Sequence, residues 1–141
     1  MQLVVDASVA VKWLVREEFS DIADEILNGQ HEIYAPRLMA VEVGNALWRK
    51  VRSGEIERPQ AGLLAATLTQ IGVNWTNDET ICADAVRLAI ALNHPIYDCT
   101  YLALAHRIGA TVVTADERFA NAVAGTAHGG SVVALKDLPP E

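Results

Sequence analysis

Two aspartates carry the first chemical signal in this sequence. Asp6 ends the apolar run Leu3-Val4-Val5, and Asp116 follows Val112-Val113-Thr114 far down the chain. A short β-branched run bounded by a polar turn reads as a buried strand. In an open α/β sheet the reactive groups stand just beyond the carboxyl ends of the strands. Two more carboxylates have unusual surroundings. Glu42 lies among nearly all apolar neighbours in Leu38-Met39-Ala40-Val41-Glu42-Val43-Gly44-Asn45, with Asn45 and Arg49 at i+3 and i+7 on its own helix face. Asp98 opens the stretch Tyr97-Asp98-Cys99-Thr100-Tyr101-Leu102 and shares a side with Leu102 and Ala105, the stripe a helix turns toward a sheet.

Each residue also has a plain explanation. Asp6, Asp98 and Asp116 all stand where a helix begins, and Asp is a favoured N-cap worth about 1 kcal/mol. Glu42 suits a solvated helix position. As a set, however, the four are placed to converge at one sheet edge. Carboxylates about 4 Å apart repel by roughly 1 kcal/mol in water and about 4 kcal/mol at an effective dielectric near 20. Such a cluster raises its own pKa values and partly neutralises. A divalent cation removes the conflict, and an all-oxygen donor set selects a hard ion, Mg²⁺ or Mn²⁺, over zinc. Such ions acidify a bound water and stabilise an in-line phosphoryl transition state, which makes phosphodiester hydrolysis the natural chemistry.

Positioning these groups requires strands alternating with helices. The patterning predicts strands at 2–5, 33–35, 73–75, 111–113 and 132–134. Helices are expected over 7–15, from Ser20 to Gly29, from Pro36 to about Arg52, and from Pro59 to Gly72. A fifth follows the capping-box pattern Thr76-x-x-Glu79, a sixth covers 97–108 before Gly109, and a short one covers 117–122. Residues 125–130 read as a flexible loop and 138–140 as a tail. This order predicts an α/β fold, a largely parallel sheet with helices on both faces, in a single domain over 1–141.

The bulk numbers narrow the classes. With 141 residues, 51% hydrophobic and 21% charged, the chain is globular rather than disordered. Its net charge of −7 argues by itself against a nucleic-acid partner, an objection that bound cations would answer. Cys82 and Cys99 form neither a zinc spacing nor a CxxC pair and read as reduced thiols of a cytoplasmic protein. No apolar run approaches the roughly 18 residues of a membrane span. Neither GxGxxG nor GxxxxGK[ST] occurs, so no nucleotide cofactor is expected.

Four motifs in order cover nearly the whole chain: Val-Val-Asp-Ala-Ser (Asp6, Ser8), Glu-x-x-Asn (Glu42, Asn45), Tyr-Asp-x-x-Tyr-Leu-Ala-Leu-Ala from Tyr97, and Thr-x-Asp (Thr114, Asp116). Together they resemble a PIN domain, and within that family the VapC-type toxin ribonucleases of toxin–antitoxin pairs. The resemblance implies a three-layer α/β/α sandwich and a Mg²⁺- or Mn²⁺-dependent endoribonuclease. It implies Asp6, Glu42, Asp98 and Asp116 as catalytic, metal-binding acids, with Ser8, Asn45 and Thr114 orienting them. It further implies a homodimer and a cognate VapB-type antitoxin that blocks the cleft and is the only route to DNA. Cys99 stands where a small residue such as alanine is common.

Other residues admit two readings. Arg49, Lys50 and Arg52 are cations at a helix C-terminus or contacts to RNA or antitoxin. Lys12, Arg16 and Arg118 are placed to flank the cleft, and Glu117 and Asp137 to serve as accessory ligands. The four histidines show no ligand spacing. Trp13, Trp48 and Trp75 read as core or interface residues. The alternatives are phosphoaspartate chemistry, which Lys136 would suit but which lacks an Asp-x-Asp motif, and a non-catalytic binding module, which would be expected to lose one of the acids.

Overall fold

Strand β1 (Gln2–Val5) lies at the centre of an all-parallel sheet in the computed structural model, which describes residues 1–140. The other strands are β2 (Glu32–Pro36), β3 (Val73–Thr76), β4 (Thr111–Thr114) and β5 (Val132–Ala134), in the order β3-β2-β1-β4-β5. Helices α1 (Ala7–Leu14), α2 (Ser20–Asn28), α3 (Leu38–Arg52), α4 (Arg58–Leu68), α5 (Cys82–Leu92), α6 (Ile96–Ile108) and α7 (Glu117–Ala124) fill the crossovers. Parallel neighbours need such long connections.

Leu3, Val4 and Val5 are all completely buried, as are Val112 and Val113. Successive strand residues point to opposite faces, so helices cover both sides of the sheet. The main one is α6, buried without interruption from Cys99 to Ala105 and packed on β1, β2 and β4. On its outer side α6 carries α5, while α1 packs between α2 and α3.

The topology decides where a site can form. The chain leaves β1 for β2 and β3 on one side, then returns to β4 and β5 on the other. The strand order reverses at β1 and β4, where α/β sheets open a crevice at their carboxyl ends. Val5 is in register with Val113, so Asp6 and Thr114 emerge side by side, and the Asp6 N–H donates to the Val113 carbonyl at 3.3 Å.

Several boundaries differ from the sequence reading. Pro36 does not start a helix; it ends β2 in register with Thr76, where its missing N–H costs nothing and Arg37 N donates to the Thr76 carbonyl at 2.9 Å. Helix α3 starts two residues later, its Leu38 N–H held by the Asp78 carboxylate at 3.1 Å. Thr76 is the last residue of β3, not a cap. A 3₁₀ turn at Asp78–Thr80 follows, and α5 begins only at Cys82. The capping box is instead Glu57 with Gln60, at the head of α4. That helix stops at Leu68, short of Gly72, and α7 runs on to Ala124. Residues 125–130 are a set of hydrogen-bonded turns, with Thr126 N donating to Val123 O at 3.0 Å and Gly129 N to Thr126 O at 3.2 Å. Gly109 closes α6 as expected, at φ +68°.

Candidate active site

A cleft of about 800 Å³ opens at the ends of β1 and β4, lined by Asp6, Glu42, Asp98 and Asp116 together with Ser8 and Asn45. The four acids therefore come from four elements: the ends of two adjacent strands, α3, and the first turn of α6.

Asp6 is the most constrained. It is almost fully buried, and it caps α1 by accepting from Val9 N at 3.3 Å. Ser8 Oγ donates to its Oδ1 at 2.5 Å, and Thr114 Oγ1 donates to its Oδ2. Both hydroxyl oxygens are themselves occupied: Ser8 Oγ accepts from Ala115 N at 2.8 Å, and Thr114 Oγ1 accepts from Asp116 N at 3.0 Å. The two hydroxyl oxygens also lie 3.4 Å from each other. Burial drives the Asp6 carboxyl up to about 7 against the pull of Ser8 and Thr114, and neighbouring Asp98 adds to the rise. Capping and site formation coexist here, because one carboxylate has lone pairs for both.

Glu42 is half-buried, and burial raises its pKa, with Asp98 and Asp78 adding to the effect. Its orientation comes from Tyr101, whose hydroxyl donates to Glu42 Oε1 at 2.5 Å. No hydrogen bond joins Asn45 to Glu42 among the described residues. Asp98 is the third residue of α6, not its cap, and His94 Nε2 donates to its Oδ2 at 2.6 Å. The His94 ring rests against Phe119, centroids 5.5 Å apart. Asp116 caps α7 by accepting from Arg118 N at 3.0 Å.

Of the basic residues, Lys12, Arg49 and Lys50 line the cleft. Arg52 does not; it lies over the Trp48 ring, 4.9 Å from its centroid. Arg16 is engaged by Asp21 and Asp24 outside the cleft. Arg118 is exposed, its Nε 4.0 Å from Asp116. Glu117 pairs with Lys136 at 2.6 Å away from the cleft, which removes Lys136 as a phosphoaspartate partner. Trp13 donates to the Ala23 carbonyl at 2.8 Å, whereas Trp48 is half exposed.

Sequence reasoning missed the roles of Tyr101 and His94. Their signal was spacing: His94 precedes Asp98 by one helical turn, and Tyr101 follows it by nearly one. It also missed Glu17, which lines the cleft beside Lys12 and Lys50.

The acids line the cleft without closing on a point; among the described residues no three acidic, histidine or cysteine side chains already form a chelating group. Their chemistry nevertheless fits a hard divalent cation. The donors are all carboxylate oxygens, and neither Asp6 nor Glu42 has a lysine or arginine partner among the described residues. The burial that raises both pKa values is the cost a cation would relieve.

The chain is similar to known proteins over most of its length. A family model described as the PIN domain matches residues 3–124. Ribonuclease VapC3 of Pyrobaculum aerophilum is 32% identical over 122 residues, which is 85% of this chain and 93% of that protein. Ribonuclease VapC1 of Mycobacterium tuberculosis is 32% identical over 123 residues, 86% and 90% of the two chains. Among solved structures, the protein PAE2754 of Pyrobaculum aerophilum superposes with a TM-score of 0.72 at 20% identity, over 96% of this chain and 85% of its own. The sarcin–ricin-loop-cleaving toxin VapC20 of Mycobacterium tuberculosis gives 0.63 at 16% identity, over 86% and 95%. VapBC2 of Rickettsia felis, bound to a promoter DNA fragment, gives 0.62 at 10% identity, over 95% and 97%. The three solved structures share the fold.

Proposed function

The chain belongs to the PIN domain family, with ribonucleases of the VapC group among its relatives, and on that premise we propose that it is a Mg²⁺- or Mn²⁺-dependent endoribonuclease acting as the toxin of a toxin–antitoxin pair. The observation that carries the reading is Asp6: a buried carboxylate without a lysine or arginine partner among the described residues, at the switch point of the sheet, in one cleft with Glu42, Asp98 and Asp116.

In this reading those four acids hold the cation. When bound, it supplies the positive charge that acidifies a water and neutralises the phosphate in the transition state. The protein's own part is orientation. Ser8 and Thr114 fix both oxygens of Asp6, Tyr101 fixes Glu42, and His94 fixes Asp98, all at the wall of the cleft. Thr114 also ties the Asp116 backbone to Asp6, so the two strand-end acids keep a set separation.

A cognate antitoxin that covers the cleft, with DNA reached only through it, is part of this proposal. A homodimer in the cytoplasm belongs to the same proposal. No helix among the described residues is long and apolar enough to cross a membrane.

The test is RNA cleavage by the purified protein in Mg²⁺ or Mn²⁺, in excess EDTA, and with Asp6→Asn. Cleavage is expected only with the metal and only with Asp6 intact. Full activity in EDTA would overturn the proposal. Expression is expected to arrest growth and Asp98→Ala to relieve the arrest; equal arrest by the variant would refute a catalytic origin of toxicity.

A further inference from the structure

Lys12 and Lys50 reach one carboxylate from two helices. Lys12 Nζ donates to Glu17 Oε1 at 3.0 Å and to the Glu18 carbonyl at 2.7 Å. Lys50 Nζ donates to Glu17 Oε2 at 2.7 Å, with Glu55 at 3.6 Å. Their side chains are only 9% and 13% exposed, unusual for lysine. Burial of Glu17 works against ionisation, but the bonds from Lys50 and Lys12 outweigh it and hold its pKa below the ordinary value.

All three residues line the cleft that holds the four acids. The arrangement exceeds what a structural tie needs. Glu17 and Glu55 balance the two lysines, and Arg49, which lines the same cleft with no ion-pair partner among the described residues, leaves this wall net positive. An ammonium has three donors, and Lys12 commits two of them. Position matters as well. Asp6 caps α1 and Lys12 lies six residues further along it, about 9 Å down the axis. The cleft is therefore bipolar, acidic at the strand ends and lined by the lysines further along α1 and α3. A polyanion whose cut phosphate meets the acids must run a neighbouring phosphate past the lysines.

We propose that Lys12 and Lys50, gathered by Glu17, form a subsite for a backbone phosphodiester of the RNA strand flanking the one that is cut. Glu17 holds the two ammoniums together in the free protein and competes with the phosphate for them. The subsite rests on the ribonuclease reading above.

The test exploits opposite signs. Glu17→Gln and Lys50→Met break the same ion pair. A purely structural tie makes both substitutions act alike, whereas a phosphate subsite makes them act oppositely. Binding of a fluorescent single-stranded oligoribonucleotide, made non-cleavable by 2′-O-methyl groups, is measured by anisotropy at fixed Mg²⁺ over a KCl series. Circular dichroism melts report the fold of each variant. Lys50→Met is expected to weaken binding roughly three- to tenfold near 0.1 M salt and to lower the salt slope by about 0.7. Lys12→Met acts in the same direction, Lys50→Arg restores the slope, and Glu17→Gln tightens binding several-fold. Wild-type affinity and slope in both lysine variants, or weaker binding by folded Glu17→Gln, would overturn the subsite. Cleavage by the wild type with Mg²⁺ is run in parallel. Cleavage that persists while the lysines have no effect sinks the subsite alone. A wild type that neither binds nor cuts RNA sinks the ribonuclease reading and the subsite with it.

Discussion

Replacing Asp6 with asparagine is expected to abolish cleavage while making the metal-free protein more stable. Burial drives this carboxyl from 3.8 to about 7 in the folded chain, with Asp98 adding to the rise. The unfolded carboxyl gives up its proton near 3.8, whereas the folded one keeps it to about 7. Between those values the folded state binds more protons. The stability linked to this group is therefore complete below pH 3.8 and is lost as the pH climbs through about 7. At roughly 1.4 kcal/mol per pH unit, that gap amounts to about 4 kcal/mol. Asparagine does not recover all of it. Ser8 and Thr114 both donate to Asp6, and an amide has only one oxygen to receive them, so one hydroxyl loses its acceptor at about 1 kcal/mol. The net gain at pH 8 is about 2–3 kcal/mol, or roughly 6–10 °C in Tm for a chain of this size. At pH 5 the folded carboxyl is protonated while the unfolded one, with its value of 3.8, is already ionised, so about 1.7 kcal/mol of the cost remains and the net gain shrinks to less than about 1 kcal/mol. Thermal melts of both proteins in EDTA at pH 5 and pH 8 read this difference directly. Mg²⁺ added at pH 8 is expected to raise the Tm of the wild type and not of the variant. A Tm difference between the two proteins that is the same at both pH values, or a variant less stable at pH 8, would refute the reasoning.

Further substitutions probe the supports of the other acids. Tyr101→Phe removes the only donor to Glu42 among the described residues and is expected to lower kcat/KM about tenfold and stability by about 1–2 kcal/mol, read by cleavage kinetics and urea melts; unchanged kinetics would mean Glu42 is oriented without it. His94→Gln is expected to raise the Mg²⁺ concentration for half-maximal activity about 10- to 100-fold with the fold intact by circular dichroism. Gly109→Ala forces a side chain onto a residue at φ +68° and is expected to cost about 1–2 kcal/mol in a urea melt. Gly44→Ala, inside α3 with open space around it, is expected to add about 0.5–1 kcal/mol in the same assay.

What the sequence determined by itself was local. The β-branched runs before Asp6 and before Asp116, the left-handed stop at Gly109 and the apolar stripe of α6 are short-range signals, and strand, cap and helix follow them directly. The four acids were legible for the same reason, since each breaks an apolar pattern at a defined position. Two local signals misled because a neighbouring strand claimed the residue first: Pro36 and Thr76 pair with each other in β2 and β3. Only the tertiary structure decided which groups meet. Tyr101 reaches Glu42 across 59 residues, and Thr114 reaches Asp6 across 108. Lys50 on α3 joins Lys12 of α1 at Glu17, in the loop after α1. Such meetings depend on the strand order, which sets β4 beside β1, and on how the crossover helices pack over it. Periodicity and capping act over a few residues and carry no record of that order, so the partners that orient the acids become visible only when the sheet is assembled.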